Sequence, residues 1–316
     1  MILAAWCAAA TIGAAVDSVL AQTRVAHEVI VCDDGSPDDV AGALRQYGDR
    51  VRLLRIEHGG ESPAKNAAAA AATGDLVVIL DADDVWLPDR LAALADLAVQ
   101  RPDLDVLTTD AWYVVDGERT RTYHDVKRPF PVRDQRREIL RRNFVFGHAA
   151  VRREAWVAAG GFDSSVAIGA DWDLWLRLIY AGSLAGCVDA PLAEYRVAAS
   201  SLSGNRLASL RSRVELLDRA ERAQALSSQE REELVTSRRL HRRRLLLAEA
   251  EAALAAGSGD ARRLALTAAA GPGLSPLTRG QALAAAVAPR LAGHLVRRRQ
   301  SALGGASYER RAPRRS

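Results

Sequence analysis

The strongest constraint on how this chain folds is a pattern repeated in its first third. A short apolar run ends in acid and is followed by turn chemistry and a helical stretch. Residues 27–33 (His-Glu-Val-Ile-Val-Cys-Asp) read as a buried strand ending at Asp33. Asp34-Gly35-Ser36-Pro37 then supplies a turn, since glycine and proline suit the backbone angles that turns require. Asp38 to Tyr47 predicts a helix and Val51 to Ile56 a second strand. Pro63 to Thr73 predicts an alanine-rich helix stopped by Gly74. Leu76 to Leu80 is a third apolar strand, and it too runs into acids: Asp81, Asp83 and Asp84. Trp86-Leu87-Pro88 is expected to open another helix. Strands alternating with helices predict a largely parallel α/β sheet, and such sheets bind ligands beyond the carboxyl ends of their strands. Both acidic clusters fall at those ends.

A chain of 316 residues, 49% of them hydrophobic, can build one large α/β domain with a smaller appendage. Charge divides it. Residues 205–316 carry 22 Arg against 10 acidic side chains, net +12, whereas residues 1–204 are net −8. From Asn205 onward Arg, Ala, Leu and Glu dominate, and Gly257 to Asp260 and Gly271 to Pro276 break the run, so three or four helices are expected. The expected division is therefore 1–204 for the α/β domain, 205–303 for a helical extension and 304–316 for a disordered basic tail. The basic helices suit either a solvated face or an anionic surface. Cys7, Cys32 and Cys187 show no paired spacing, which fits a reducing cytoplasm rather than a disulfide framework. Met1 to Val16 is uncharged but lacks a basic lead and is too short to span a bilayer. Nucleic-acid binding is not expected, because the front half is acidic and lacks basic residues interleaved with aromatics.

Four groups of residues can carry chemistry. Asp81-Ala82-Asp83-Asp84 crowds three carboxylates at a strand end, where they repel one another unless a cation intervenes. Mg²⁺ commonly bridges such carboxylates to substrate phosphates. The same acids could instead cap the helix expected after them. Asp33 and Asp34 can accept from a nucleobase N–H or a ribose hydroxyl, or can simply hold the turn. Lys65, one of few lysines in an arginine-rich chain, sits at a helix start, where a cation and free N–H groups suit a diphosphate; a solvated lysine is the alternative. Asp171, in Gly169-Ala170-Asp171-Trp172-Asp173-Leu174-Trp175-Leu176, opens an amphipathic helix and can act as a general base or as a cap.

Taken in order, these pieces resemble the family 2 glycosyltransferases, which have the GT-A fold. The resemblance rests on Thr11-Ile12-Gly13 through Gln22-Thr23, Glu28 to Ser36, Ala64-Lys65-Asn66 with Ala72-Thr73-Gly74-Asp75, and Asp81 to Asp84. It continues through Gly160-Gly161-Phe162-Asp163, Asp171 to Leu178, and Tyr195-Arg196, and so covers roughly residues 1–205. The resemblance implies nucleoside contacts from Asp33 and Asp34, a place for Lys65 near the base or diphosphate, and a ribose- and metal-binding Asp-x-Asp motif at Asp81 and Asp83. Asp84 would be a further metal ligand and Asp171 the catalytic base. Trp6 stands in the turn after the first strand and is assigned to the nucleotide.

The chain departs from the family pattern in four places, the first being its amino end. Met1-Ile2-Leu3 stands for a longer first strand, and Ala4-Ala5-Trp6-Cys7 for a Pro-x-Tyr-Asn-like turn. Ala170 replaces an acid before the base, Lys65 replaces Arg, and Ala198 stands near the place of a histidine that often follows the Tyr-Arg pair. A three-residue central strand is expected to leave neighbouring backbone groups without ladder partners, which would be repaired by further residues upstream of Met1.

The function implied is an inverting, Mn²⁺- or Mg²⁺-dependent transfer of sugar from a UDP- or dTDP-sugar to a carbohydrate or lipid-linked acceptor. Cell-envelope polysaccharide or glycolipid synthesis would be its setting, in the cytoplasm or on the inner face of the membrane. The alternative is a catalytically impaired relative that binds nucleotide or carbohydrate.

Overall fold

The computed structural model describes residues 1–197, 206–270 and 276–288. The expected basic tail at 304–316, and Ala198, lie outside the described residues. Two compact units are distinguished. One comprises residues 1–204 with 219–234, and the other residues 205–218 with those from 235 onward. Residues 219–234 thus group with the α/β unit and not with the expected extension.

The α/β unit is built on a nine-stranded mixed sheet. Its parallel half contains β1 (Ile2–Ala5), β2 (Ile30–Asp33), β3 (Arg52–Arg55) and β4 (Leu76–Asp81), in the spatial order β3-β2-β1-β4. Helices α1 (Ile12–Leu20), α2 (Val40–Leu44) and α3 (Glu61–Ala70) connect them. The helix expected over Asp38 to Tyr47 is shorter as an α-helix; it begins after Asp39, whose carboxylate accepts from Gly42 N–H, and passes into a 3₁₀ turn from Arg45. The interior strands are apolar because both faces are covered: Ile2, Leu3, Ile30, Val31, Ile79 and Leu80 are all fully buried.

The first strand corrects the expectation of a defective one. β1 is four residues long, the same as β2 and β3, and it pairs with β2 from Ile2↔Ile30 to Ala5↔Asp33 and with β4 from Ile2↔Ile79 to Ala4↔Asp81. Ladder bonds on both sides are therefore made.

Beyond β4 the sheet becomes mixed. β5 (Val85–Trp86) precedes α4 (Arg90–Gln100), and β6 (Val106–Val115) forms a hairpin with β7 (Glu118–Thr122). Helix α5 (Gln135–Arg141), β8 (Ala150–Arg152), α6 (Arg153–Ala159), α7 (Ala170–Tyr180) and β9 (Ala185–Arg196) complete it, with the order continuing β4-β8-β6-β9-β5. Trp86 therefore does not open a helix. It lies in a two-residue strand against Ala193 of β9, and α4 begins only at Arg90. Helix capping by the Asp81–Asp84 cluster is excluded by that distance along the chain.

Helix α8 (Arg206–Ala223) and helix α9 (Ser228–Ala256) each contribute residues to both units, and α10 (Ala261–Ala269) and α11 (Pro276–Val287) follow. In the second unit Ala250, Ala265 and Ala286 form a small apolar cluster. Asp218 takes ion pairs from Arg238 and Arg242, and Arg211 pairs with Glu249.

Candidate active site

Because β1, β2 and β4 are adjacent and parallel, their carboxyl ends (Ala5, Asp33 and Asp81) open on one edge. The loops that leave that edge build the site. Asp33 is fully buried and both its oxygens are used inside the protein. Ser36 N–H donates to Oδ1 at 2.9 Å and Arg55 Nη1 to Oδ2 at 2.7 Å. Asp33 thus holds the turn, aided by Gly35, whose φ of +69° and 2.9 Å approach of an added Cβ to His58 N admit no side chain. Asp34, buried beside it, clamps the next loop: Gly59 N–H and Gly60 N–H donate to its two oxygens at 2.8 Å, and His58 Nδ1 lies 2.8 Å from Oδ2. Trp6 stacks on the His58 ring with centroids 3.7 Å apart and stays 45% exposed, so a flat aromatic face is offered at the edge.

That loop feeds α3, and Lys65 on α3 is buried rather than solvated. Its Nζ lies 2.6 Å from Asp81 Oδ1 and also pairs with Glu61. Burial opposes the charge on Lys65, but the two carboxylates outweigh it and raise its pKa. Burial likewise opposes ionisation of Asp81, and Lys65 and His148 more than offset this, so Asp81 is held well below the ordinary carboxylate range.

Asp81 and Asp84 converge with His148, their ligand atoms lying within 4.8 Å of one another. His148 Nε2 lies 3.0 Å from Asp84 Oδ2 and 3.3 Å from Asp81 Oδ2. Neither contact has hydrogen-bond geometry: among the described residues, Asp84 Oδ2 and His148 Nε2 are both buried without a hydrogen-bond partner. The indole N–H of Trp86 points at the other ring nitrogen, Nδ1, at 3.4 Å. Backbone N–H of Arg196 donates to Asp84 Oδ1 at 2.6 Å, which ties the end of β9 to the cluster. Asp83 does not join this convergence; it faces solvent at the lip. Partial burial of its carboxyl and the charges of Asp84 and Asp81 push it up to about 6. Crowded acids, two orphaned buried atoms and an imidazole form a donor set that fits a divalent cation.

Asp171 lies in the first turn of α7, where Asn143 Nδ2 donates to its Oδ2 at 2.7 Å. Burial raises its pKa against the opposing help of Trp172 N–H and Asn143; Lys65 and Glu61 of α3 also act on it. Helix α7 is fixed from both sides. Trp172 Nε1 donates to Ile139 O at 2.8 Å, and Arg177 Nη2 to Gly161 O at 2.7 Å. Gly161 (φ +66°) needs to be glycine, because an added Cβ would lie 2.5 Å from Asn66 Oδ1. Asn66 in turn brackets Phe162, accepting from its N–H at 2.9 Å and donating to its carbonyl at 2.8 Å.

Three residues escape a reading of the sequence: His148, Asn143 and Arg90. Arg90 is fully buried, stacks on Trp86 at 5.0 Å and donates to His148 O and Thr109 Oγ1. Burial pushes it down to about 9. His148 is a single polar residue in an apolar stretch, Asn143 and Arg90 each directly follow charged residues, and no spacing signal marks any of them.

A parallel α/β half, a mixed second half and an acidic cluster at the joining strand define a GT-A glycosyltransferase domain. Residues 2–158 match the model for "Glycosyl transferase family 2", and the domain belongs to that family. The chain is 39% identical over 83 residues to the Escherichia coli UDP-Glc:alpha-D-GlcNAc-diphosphoundecaprenol beta-1,3-glucosyltransferase WfgD, covering 26% of this chain and 33% of that protein. It is 29% identical over 201 residues to the succinoglycan biosynthesis protein ExoU of Rhizobium meliloti, covering 58% and 57%. The chain therefore spans less than two thirds of either relative. Among solved structures, the Pyrobaculum calidifontis mannosyltransferase PcManGT with GDP-Man and Mn²⁺ superposes with a TM-score of 0.63 at 23% identity, covering 92% of this chain and 85% of that one. S. aureus TarS 1–349 with UDP-GlcNAc gives a TM-score of 0.63 at 14% identity, covering 96% and 91%.

Proposed function

We propose that the chain transfers a sugar from a nucleoside-diphosphate sugar to an acceptor hydroxyl with inversion at the anomeric carbon, in the synthesis of a cell-envelope polysaccharide or glycolipid. The observation that carries this reading is the convergence of Asp81, Asp84 and His148 at the end of β4, one element away from Lys65 and the amino end of α3. Trp6 on His58 offers a stacking face for a nucleobase, and Asp34 fixes the loop beneath it. The amino end of α3 favours a diphosphate through its backbone N–H groups and dipole.

Asp81, Asp84 and His148 would hold a divalent cation, with Asp83 a further carboxylate at the solvent-facing lip. When bound, Mn²⁺ or Mg²⁺ neutralises charge on the departing diphosphate. Asp171 takes the proton of the acceptor hydroxyl as that oxygen attacks the anomeric carbon from the side opposite the diphosphate. The bond from carbon to diphosphate oxygen breaks, its electron pair leaves with the diphosphate, and the configuration inverts. WfgD is named for a diphosphoundecaprenol-linked acceptor, and this supports a lipid-linked acceptor here, reached with the arginine-rich helices against an anionic membrane face. No helix among the described residues is long and apolar enough to cross a membrane.

Calorimetry tests the donor and cation together. UDP is expected to bind more tightly with Mn²⁺ than with EDTA, Asp84→Ala to abolish the difference and Asp83→Ala to reduce it. Equal affinity in both buffers removes the cation from the site. The anomeric configuration of the product, read by proton NMR, tests inversion separately.

A further inference from the structure

We infer that Asn143 is the positioning residue of the base: its amide N–H holds Asp171 Oδ2 and assigns Oδ1 to the acceptor proton. The inference rests on Asp171 being that base. Its geometric support is the 2.7 Å contact from Asn143 Nδ2 to Asp171 Oδ2. A second observation is the other end of the amide. Asn143 Oδ1 is buried and has no hydrogen-bond partner among the described residues. A buried acceptor left unmade costs stability, so the amide is not explained by what it adds to the fold. The orientation of the amide follows from charge, because its carbonyl turned toward a carboxylate would repel it.

Both partners are built on one support. Asn143 lies two residues beyond the end of α5, just before the fully buried Phe144 and Val145, and its carbonyl accepts from Tyr123 Oη at 2.9 Å. Asp171 is carried by α7, which is fastened to α5 through Trp172 Nε1 and Ile139 O. Donor and acceptor are therefore anchored through the same neighbourhood of the fold, which is what a base needs to be preorganised. Ala170, the neighbour of Asp171, brings no charge of its own. The charged groups that act on Asp171 are Lys65 and Glu61 on α3, the first favouring its ionised form and the second opposing it. Asn143 adds a neutral donor on the side of the ionised form, and it does so without a counter-charge that would bind the carboxylate away from the acceptor.

The test uses the full chain. The titration of Asp171 is followed by carboxyl ¹³C NMR, assigned with Asp171→Asn, in the native protein, Asn143→Ala and Asn143→Ser; no ligand is needed. In parallel, UDP release from UDP-sugars with Mn²⁺ gives the pH profile of turnover. For Asn143→Ala we expect an upward-shifted Asp171 midpoint and turnover at neutral pH lower by about 10- to 10²-fold, the scale of a misplaced reacting group. Turnover should recover in part at higher pH, with little change in donor KM, and Asn143→Ser, which keeps a donor, should lie between. A purely structural residue would not move the midpoint. A native midpoint and pH profile in Asn143→Ala overturns the inference, and Asn143→Ser decides it on the same terms if the alanine variant does not fold. Full turnover in Asp171→Asn would remove the base itself. A dead Asp171→Asn with an unmoved Asn143→Ala profile would remove Asn143 alone.

Discussion

Asp171 sets function against stability at a single residue. An unfolded aspartate titrates at about 3.9, and burial lifts the folded value above this even with Asn143 and Trp172 N–H pulling it down. A group whose folded pKa is raised binds its proton more tightly in the native state. Its stabilising contribution is therefore full below about pH 3.9 and is lost as pH rises through the folded value. At neutral pH the ionised carboxylate works against the fold. We expect Asp171→Asn to melt at a higher Tm than the native chain at pH 7, with the gap closing as the pH is brought to 4 and below. The same variant should lose roughly 10²- to 10⁴-fold in turnover, the usual scale for a general base. An unchanged Tm at pH 7 would mean that burial does not strain the carboxylate. His148 offers a second test at this scale. Both ions favour oxygen ligands, but Mn²⁺, a transition-metal ion, accepts an imidazole among them more readily than Mg²⁺. His148→Ala should weaken the Mn²⁺-dependent part of UDP binding more than the Mg²⁺-dependent part. Equal losses would make His148 a packing residue.

At the level of elements, legibility in the sequence follows how local the deciding forces are. β2, β3, β4 and α3 could be read because each is bounded by its own turn chemistry: Asp34-Gly35-Ser36-Pro37 after β2, and Gly74 after α3. β5 could not. Two residues, Val85 and Trp86, become a strand only because Ala193 and Glu194, more than a hundred positions later, supply the partner. The acids before it then lose their reading as a helix cap. Within the site, Asp81 and Asp84 stood out by crowding, whereas His148 lies in an apolar run and gains meaning only when β8 pairs with β4 and brings the residues just before it to the end of that strand. The reading of Lys65 as solvated failed because its partner, Asp81, is on another element. The loop from His58 to Gly60 gives the test at this scale. Asp34→Ala leaves the N–H groups of the exposed Gly59 and half-buried Gly60 without their acceptor, costing about 1–3 kcal/mol for whatever part water does not reach. We expect a lower Tm and, because His58 loses its tether beneath Trp6, weaker UDP binding. A variant of native Tm and affinity would show that the loop is held by other contacts.

Across the whole molecule, charge separates what the fold does from where the work is done. The residues from 205 onward are net +12 and those before them net −8. Much of the basic charge in the described helices is answered internally, as in Arg206 with Glu251 and the two arginines on Asp218, so membrane attraction has to come from what remains. Cosedimentation with anionic vesicles should fall steeply as salt is raised, since such attraction fades beyond a Debye length of about 10 Å at 0.1 M; binding indifferent to salt, or absent at low salt, would leave the helices as a solvated scaffold. The central claim, that this is a sugar transferase with Asp171 as its base, is tested most directly by one measurement: release of free nucleoside diphosphate from a panel of UDP-, dTDP- and GDP-sugars in Mn²⁺, by the native chain and by Asp171→Asn side by side. The expected result is turnover of at least one donor by the native chain that EDTA abolishes and Asp171→Asn loses. Turnover of a donor by both proteins at the same rate would contradict the assignment of the base, and no turnover of any donor by the native chain would contradict the transferase reading itself.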